Sequence, residues 1–161
     1  QWSSSAASDV YKRQDMALFK FTKNILEDKE IDVYNNGNHS RDFTYVDDIV
    51  EGIYLSSISK KELIDSNFDS KDPSRSFCKS IIFNLGRGKP ENLEDFIDEI
   101  ENNLGKRAKR NLMPLQPGDV PDTSADISGL KDFSGYEPKT SIKIGVKNFI
   151  DWYKEYYKVN L

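Results

Sequence analysis

The chain has 161 residues, enough for one domain with a real core, with 37% hydrophobic and 31% charged residues and a net charge of −4. That balance excludes a broad cationic field for nucleic acid or an anionic membrane, and the longest apolar runs, such as Ile81–Leu85 with its flanks, are far too short to span a bilayer. One cysteine, Cys78, excludes an internal disulfide and a Cys-rich metal centre, and one histidine, His39, argues against a His-centred triad or a multi-His metal site.

In chain order, the opening Gln1–Gln14 lacks the apolar stretch of a secretory signal and the starting methionine. The segment from Asp15 to Glu30 spaces Met16, Phe19, Ile25 and Leu26 for an amphipathic helix. Ile31, Val33 and Tyr34 then read as a short strand, Asn35–Asn38 as a turn, and Arg41–Phe43 as a second extended piece. From Thr44 a helix is expected, with Thr44 and Asp47 as a capping box and Val46, Ile49, Val50 and Ile53 as its apolar stripe. The polar run 60–79 reads as a surface loop and Ser80–Gly86 as a short buried strand. The helix over Glu91–Leu104 is the plainest in the chain. Asn92 caps it, Leu93, Phe96, Ile97, Ile100 and Leu104 form one face, and Gly105 stops it. Arg110–Ser128 reads as extended and broken by three prolines, and a last helix presents Ile142, Val146, Phe149, Tyr153 and Tyr156. That aromatic row fits core packing better than a binding platform.

The chemistry-bearing signals are few. No tyrosine has a lysine four residues later, and no Gly-x-Gly-x-x-Gly loop is present. Gly86 and Gly88 sit between an expected strand and helix, but the third glycine is missing and Pro90 intervenes, so an ordinary tight turn is the better reading than a phosphate cradle. Arg41 could present its guanidinium fork to phosphate oxygens, or form a structural ion pair with Asp42, Asp47 or Asp48. Tyr34 could stack on a flat ring or simply pack. Gly118 allows close backbone approach and Asp119 could accept from hydroxyls, although a proline-framed turn explains both equally well.

These stretches, in this order, resemble the C-terminal part of the extended short-chain dehydrogenase family of NAD-dependent nucleotide-sugar epimerases and dehydratases. Ser40–Ile53 is similar to that family's Arg-Asp-(Phe/Tyr) motif and interdomain helix. Phe83–Gly105 is similar to its next strand and helix, and Leu115–Tyr157 to its closing Pro-Gly-Asp, Ala-Asp, Gly-(Tyr/Phe)-x-Pro and Trp-Tyr pattern. Within the family, Met113–Asp126 and the long polar loop are similar to the UDP-glucuronate 4-epimerase branch. UDP-glucose 4-epimerases and dTDP-glucose 4,6-dehydratases are the alternatives, and a non-catalytic nucleotide-sugar-binding module is the reading of another class.

The resemblance implies an α/β fold: the substrate-binding part of an extended Rossmann-type enzyme, with short strands, about four helices and the Rossmann half missing. It implies that Arg41 contacts the diphosphate of a UDP-sugar, Asp119 lies near the ribose, Tyr34 packs on uracil, and Gln116 replaces a phosphate-binding arginine. No catalytic, metal or cofactor-binding residue is carried over, because NAD and the catalytic Tyr–Lys pair belong to the missing half. The parent enzyme is then expected to be a cytoplasmic homodimer in carbohydrate metabolism, using NAD. Residues 15–161 form the expected family part. Gln1–Gln14 resembles translated transposase-end and adaptor sequence from library preparation, with no inherited role for Arg13, and Val10 and Tyr11 are not expected to pack.

Overall fold

The computed structural model describes residues 16–60 and 81–159. These hold five α-helices and four short strands: α1 Ala17–Leu26, β1 Glu30–Val33, β2 Ser40–Arg41, α2 Val46–Ile58, β3 Glu91–Asn92, α3 Leu93–Leu104, β4 Lys109–Leu112, α4 Ser128–Ser134 and α5 Ile142–Tyr157. They divide into two compact units. Unit 1 holds residues 16–40, 91–121 and 141–159, and unit 2 holds 41–60, 81–90 and 122–140. The expectations for Val10, Tyr11, Cys78 and the 61–79 part of the polar loop lie outside the described residues.

Unit 1 is built on a two-stranded parallel sheet, β1 beside β4, with Ile31 facing Arg110 and Val33 facing Leu112 in register. Alternation along β1 buries Ile31 and Val33 completely. Helices α1, α3 and α5 supply the rest of the core. On α3 the spacing of Phe96, Ile97, Ile100 and Leu104 puts all four on one buried face, and Gly105 ends the helix in the left-handed region at φ 65°. Asn92 occupies the N-cap position, but its side chain makes no capping bond. On α1 the buried residues are Phe21, Thr22 and Ile25, whereas Met16 is 63% exposed. Phe19 meets Phe149 edge-on at 4.8 Å, and Val146, Ile150 and Tyr153 of α5 complete the packing. Tyr156 departs from the expected buried row, because helix α5 outruns the core there.

Unit 2 departs further from the expected pattern. Helix α2 does form, yet Val46, Val50 and Ile53 are more than half exposed. Its buried residues are Asp48 and Gly52. The cause is what faces them. Both Asp48 carboxylate oxygens accept backbone N–H groups, from Lys139 at 3.2 Å and Thr140 at 3.0 Å. A Cβ at Gly52 would collide with Leu85 and crowd the Tyr136 ring, so the helix approaches closely only along that line. The N-cap position falls on Tyr45 with no side-chain capping bond, so the expected Thr44–Asp47 box is not formed. The described part of the expected Ser80–Gly86 strand, residues 81–86, lacks regular structure beyond an isolated bridge at Ile81, and Ile82 is 72% exposed. Helix α4, which follows the stretch 110–128 read as extended and was not itself expected, is a fifth helix among the described residues. It buries Leu130.

Candidate functional site

In unit 1, β1 leads straight into the Tyr34–Gly37 turn. Asn35 and Asn36 both take φ 51°, a conformation asparagine tolerates better than most residues, and Gly37 takes φ 83°. Tyr34 therefore opens a 3-10 turn rather than extending the strand, and it is half-buried. This stretch is stitched to the proline-rich segment that follows β4. The Met113 amide donates to the Val33 carbonyl at 2.9 Å, and the Asn36 amide donates to the Met113 carbonyl at 3.0 Å.

The far end of the same segment is also tied down. Gly118, at φ 85°, lets the chain turn so that the Asp119 amide reaches the Gln116 carbonyl at 3.1 Å. Asp119 then accepts from the Val120 amide through Oδ1 at 2.9 Å. The Pro121 carbonyl accepts two bonds, from the Ser40 amide at 3.0 Å and from Nδ1–H of His39 at 3.1 Å. Gln116 and Asp119 thus share one exposed turn, held at both ends against the stretch that carries Tyr34. His39 is the residue that sequence reasoning missed. It was legible only as a lone histidine, because its partner lies 82 positions away.

Arg41, the fourth expected residue, follows Ser40 in the chain and is the first residue of unit 2. It is half-buried and engaged in an interaction of its own. The next residue, Asp42, organises its surroundings. Its carboxylate accepts from the Arg87 amide at 3.2 Å, the Gly88 amide at 2.9 Å and the Ala125 amide at 2.9 Å. A Cβ at Gly86 would come within 2.6 Å of the Ala125 methyl and 3.2 Å of Asp42 Oδ2, so only glycine lets these strands of loop converge. The Gly86–Gly88 turn is therefore a nest for a carboxylate of the chain itself. Beside it lies an open cleft of about 430 Å³ bordered by Asp42, Phe83, Asn84 and Ala125 among others.

Tyr136 seals the other side of this turn. Its hydroxyl donates to the Gly86 carbonyl at 2.9 Å. Burial pushes that hydroxyl up to about 12, with the Asp48, Asp42 and Glu51 carboxylates adding to the shift, so it stays a neutral donor. In unit 1 the corresponding electrostatic feature is Glu101. Burial alone would raise its carboxyl, but bonds from Arg107, the Ala108 amide and Arg110 hold it below the usual value. Arg110 also engages Glu94 and Asp98, so this network braces α3 against β4. Among the described residues no group of three or more potential metal ligands gathers, and no helix is long and apolar enough to cross a membrane.

A model of the NAD dependent epimerase/dehydratase family matches residues 6–66. Protein CapI of Staphylococcus aureus is 50% identical over 149 residues, covering 91% of this chain and 44% of that protein. UDP-glucuronate 4-epimerase 2 of Arabidopsis thaliana is 39% identical over 150 residues, covering 91% of this chain and 34% of that protein. The solved structure of UDP-glucuronic acid 4-epimerase from Bacillus cereus, in complex with UDP-glucuronic acid and NAD, superposes with a TM-score of 0.73 at 29% identity. It covers 89% of this chain and 41% of that one. The chain thus spans less than half the length of the relatives it matches. Its mixed α/β fold, its order of motifs and these likenesses agree in making the chain similar to the NAD dependent epimerase/dehydratase family.

Proposed function

We propose that the chain is the nucleotide-anchoring part of a UDP-glucuronate 4-epimerase. The observation that carries this reading is the 37–40% identity to UDP-glucuronate 4-epimerases of plants and Rhizobium meliloti across about nine-tenths of the chain. In this reading Arg41 takes the diphosphate with its guanidinium fork, Asp119 accepts from the ribose hydroxyls, and Tyr34 lies against the uracil ring. Gln116 offers an amide where a phosphate-binding arginine would add charge, so the diphosphate depends more heavily on Arg41. The anchor keeps the nucleotide in place while the sugar turns, and the parent works in the cytoplasm as a homodimer.

The family's cofactor does not fit the residues described in this chain. The one turn between an extended piece and a helix that carries two glycines has its Arg87 and Gly88 amides occupied by the Asp42 carboxylate. A dinucleotide phosphate there would meet negative charge in place of free N–H groups. No redox step is assigned to these residues. The exposed face of α2, Val46, Val50, Ile53 and Tyr54, is the natural seat for the remaining part of the enzyme, since a large apolar stripe on a helix costs stability unless it is covered.

Calorimetric titration of the 161-residue chain with UDP-glucuronate tests the reading. Binding is expected without C4 epimerisation, and Arg41→Ala should weaken it by about tenfold or more, the worth of a charge-assisted bond. No heat of binding, or turnover by the chain alone, contradicts the proposal.

A further inference from the structure

His39 sits in a setting that a neutral imidazole cannot satisfy. Its side chain is 4% exposed. The Pro121 carbonyl can only accept, so the 3.1 Å bond requires the proton on Nδ1. In the neutral ring that leaves a bare lone pair on Nε2. This atom is buried and has no hydrogen-bond partner. What faces it is Oδ2 of Asp119, 3.6 Å away, which is also an acceptor. Nε2 is buried while the Asp119 side chain is 37% exposed; the two facing acceptors repel, and a proton on Nε2 turns the repulsion into an ion pair. Glu94, whose side chain lies against Gly37, is engaged by Arg110.

We propose that His39 is the positioning residue for Asp119. When protonated, its ring holds the Gln116–Pro121 turn at two points, the Pro121 carbonyl through Nδ1–H and the Asp119 carboxylate through Nε2–H. Loss of the Nε2 proton releases the carboxylate. Ligand affinity through Asp119 is therefore linked to the Nε2 proton and falls when that proton is lost. The ligand part of this inference rests on the nucleotide-sugar reading above, whereas the tie itself does not.

The chain has one histidine, so its ring nitrogens give a single set of NMR signals. In the 15N-labelled chain, titrated between about pH 5 and 8, the neutral ring should keep its proton on Nδ1. The Asp119 and Val120 amide signals should shift with the ring's own titration. Asp119→Asn, a change in an exposed turn, should abolish that shared response while the ring still titrates. UDP-glucuronate, whose charged groups stay ionised over this range, should bind about two- to fivefold more tightly at the acid end, as expected for a partly exposed ion pair. His39→Gln should remove that pH dependence. Should His39→Gln not fold, Asp119→Asn alone decides. Amides that ignore the ring's protonation, or a neutral ring carrying its proton on Nε2, overturn the proposal. If the amides follow the ring but UDP-glucuronate binds at no pH, the tie stands and the nucleotide reading falls.

Discussion

Of the thirteen buried apolar side chains among the described residues, eleven belong to unit 1, and only Leu130 and Tyr136 belong to unit 2. Unit 1 is therefore held chiefly by the hydrophobic effect, at about 1.5–3 kcal/mol for each large side chain withdrawn from water. Unit 2 relies on polar ties. Asp42 accepts three backbone amides, Asp48 accepts two, and Tyr136 and Ser59 each donate to a carbonyl. Each such tie nets less than a buried isoleucine, because water competes for the same groups in the unfolded chain. The difference teaches that unit 1 carries its own core, whereas among the described residues unit 2 leaves the α2 apolar stripe exposed and is tied by hydrogen bonds.

Mutations can break that comparison or sharpen it. The largest effect is expected for Ile97→Ala in unit 1. It removes a fully buried side chain on α3 and should cost about 3–5 kcal/mol of unfolding free energy in denaturant titration. In unit 2, Asp42→Ala strips the common acceptor from the Arg87, Gly88 and Ala125 amides and should cost about 2–3 kcal/mol. Its signature is faster hydrogen exchange at those three amides, with α3 unchanged. An equal speeding of α3 exchange would show that the two units do not differ as described.

A smaller effect, with a pH signature, is expected at Glu101. Its carboxyl is held below the ordinary value in the folded chain. Its contribution is therefore present above the usual carboxylate range and is lost as pH falls through the folded value. Glu101→Gln should cost about 1–2 kcal/mol near neutral pH and flatten the acid side of the stability profile. A variant as acid-sensitive as the parent would move the origin of that sensitivity elsewhere.

How much of this was legible in the sequence follows the same divide. On α3 the apolar spacing, the stopping glycine and the buried face coincide, because local pattern and tertiary packing agree there. On α2 they conflict. The pattern of Val46, Val50 and Ile53 is a sound apolar stripe, yet the face that packs within unit 2 is the one carrying Asp48 and Gly52. Nothing local announces that a carboxylate will find two amides far along the chain. Helix α4 was missed because seven residues with a single buried leucine carry too little periodicity. The candidate site divides likewise. Pro-Gly-Asp reads as a turn from its residues alone, and the structure forms that turn through Gly118. The link from His39 to Asp119 and Pro121 depends on the parallel pairing of β1 with β4, which brings distant segments side by side.

The central proposal is that this chain anchors a nucleotide, with Tyr34 and the turn 116–121 contributing from unit 1. Hydrogen exchange of the chain with and without UDP-glucuronate tests it most directly, since it reads location as well as binding. The account predicts slower exchange at the amides of 34–41 and 118–120, with the exposed helix α2 unaffected. Protection confined to α2 or to the cleft beside Asp42, or no protection anywhere, would contradict it.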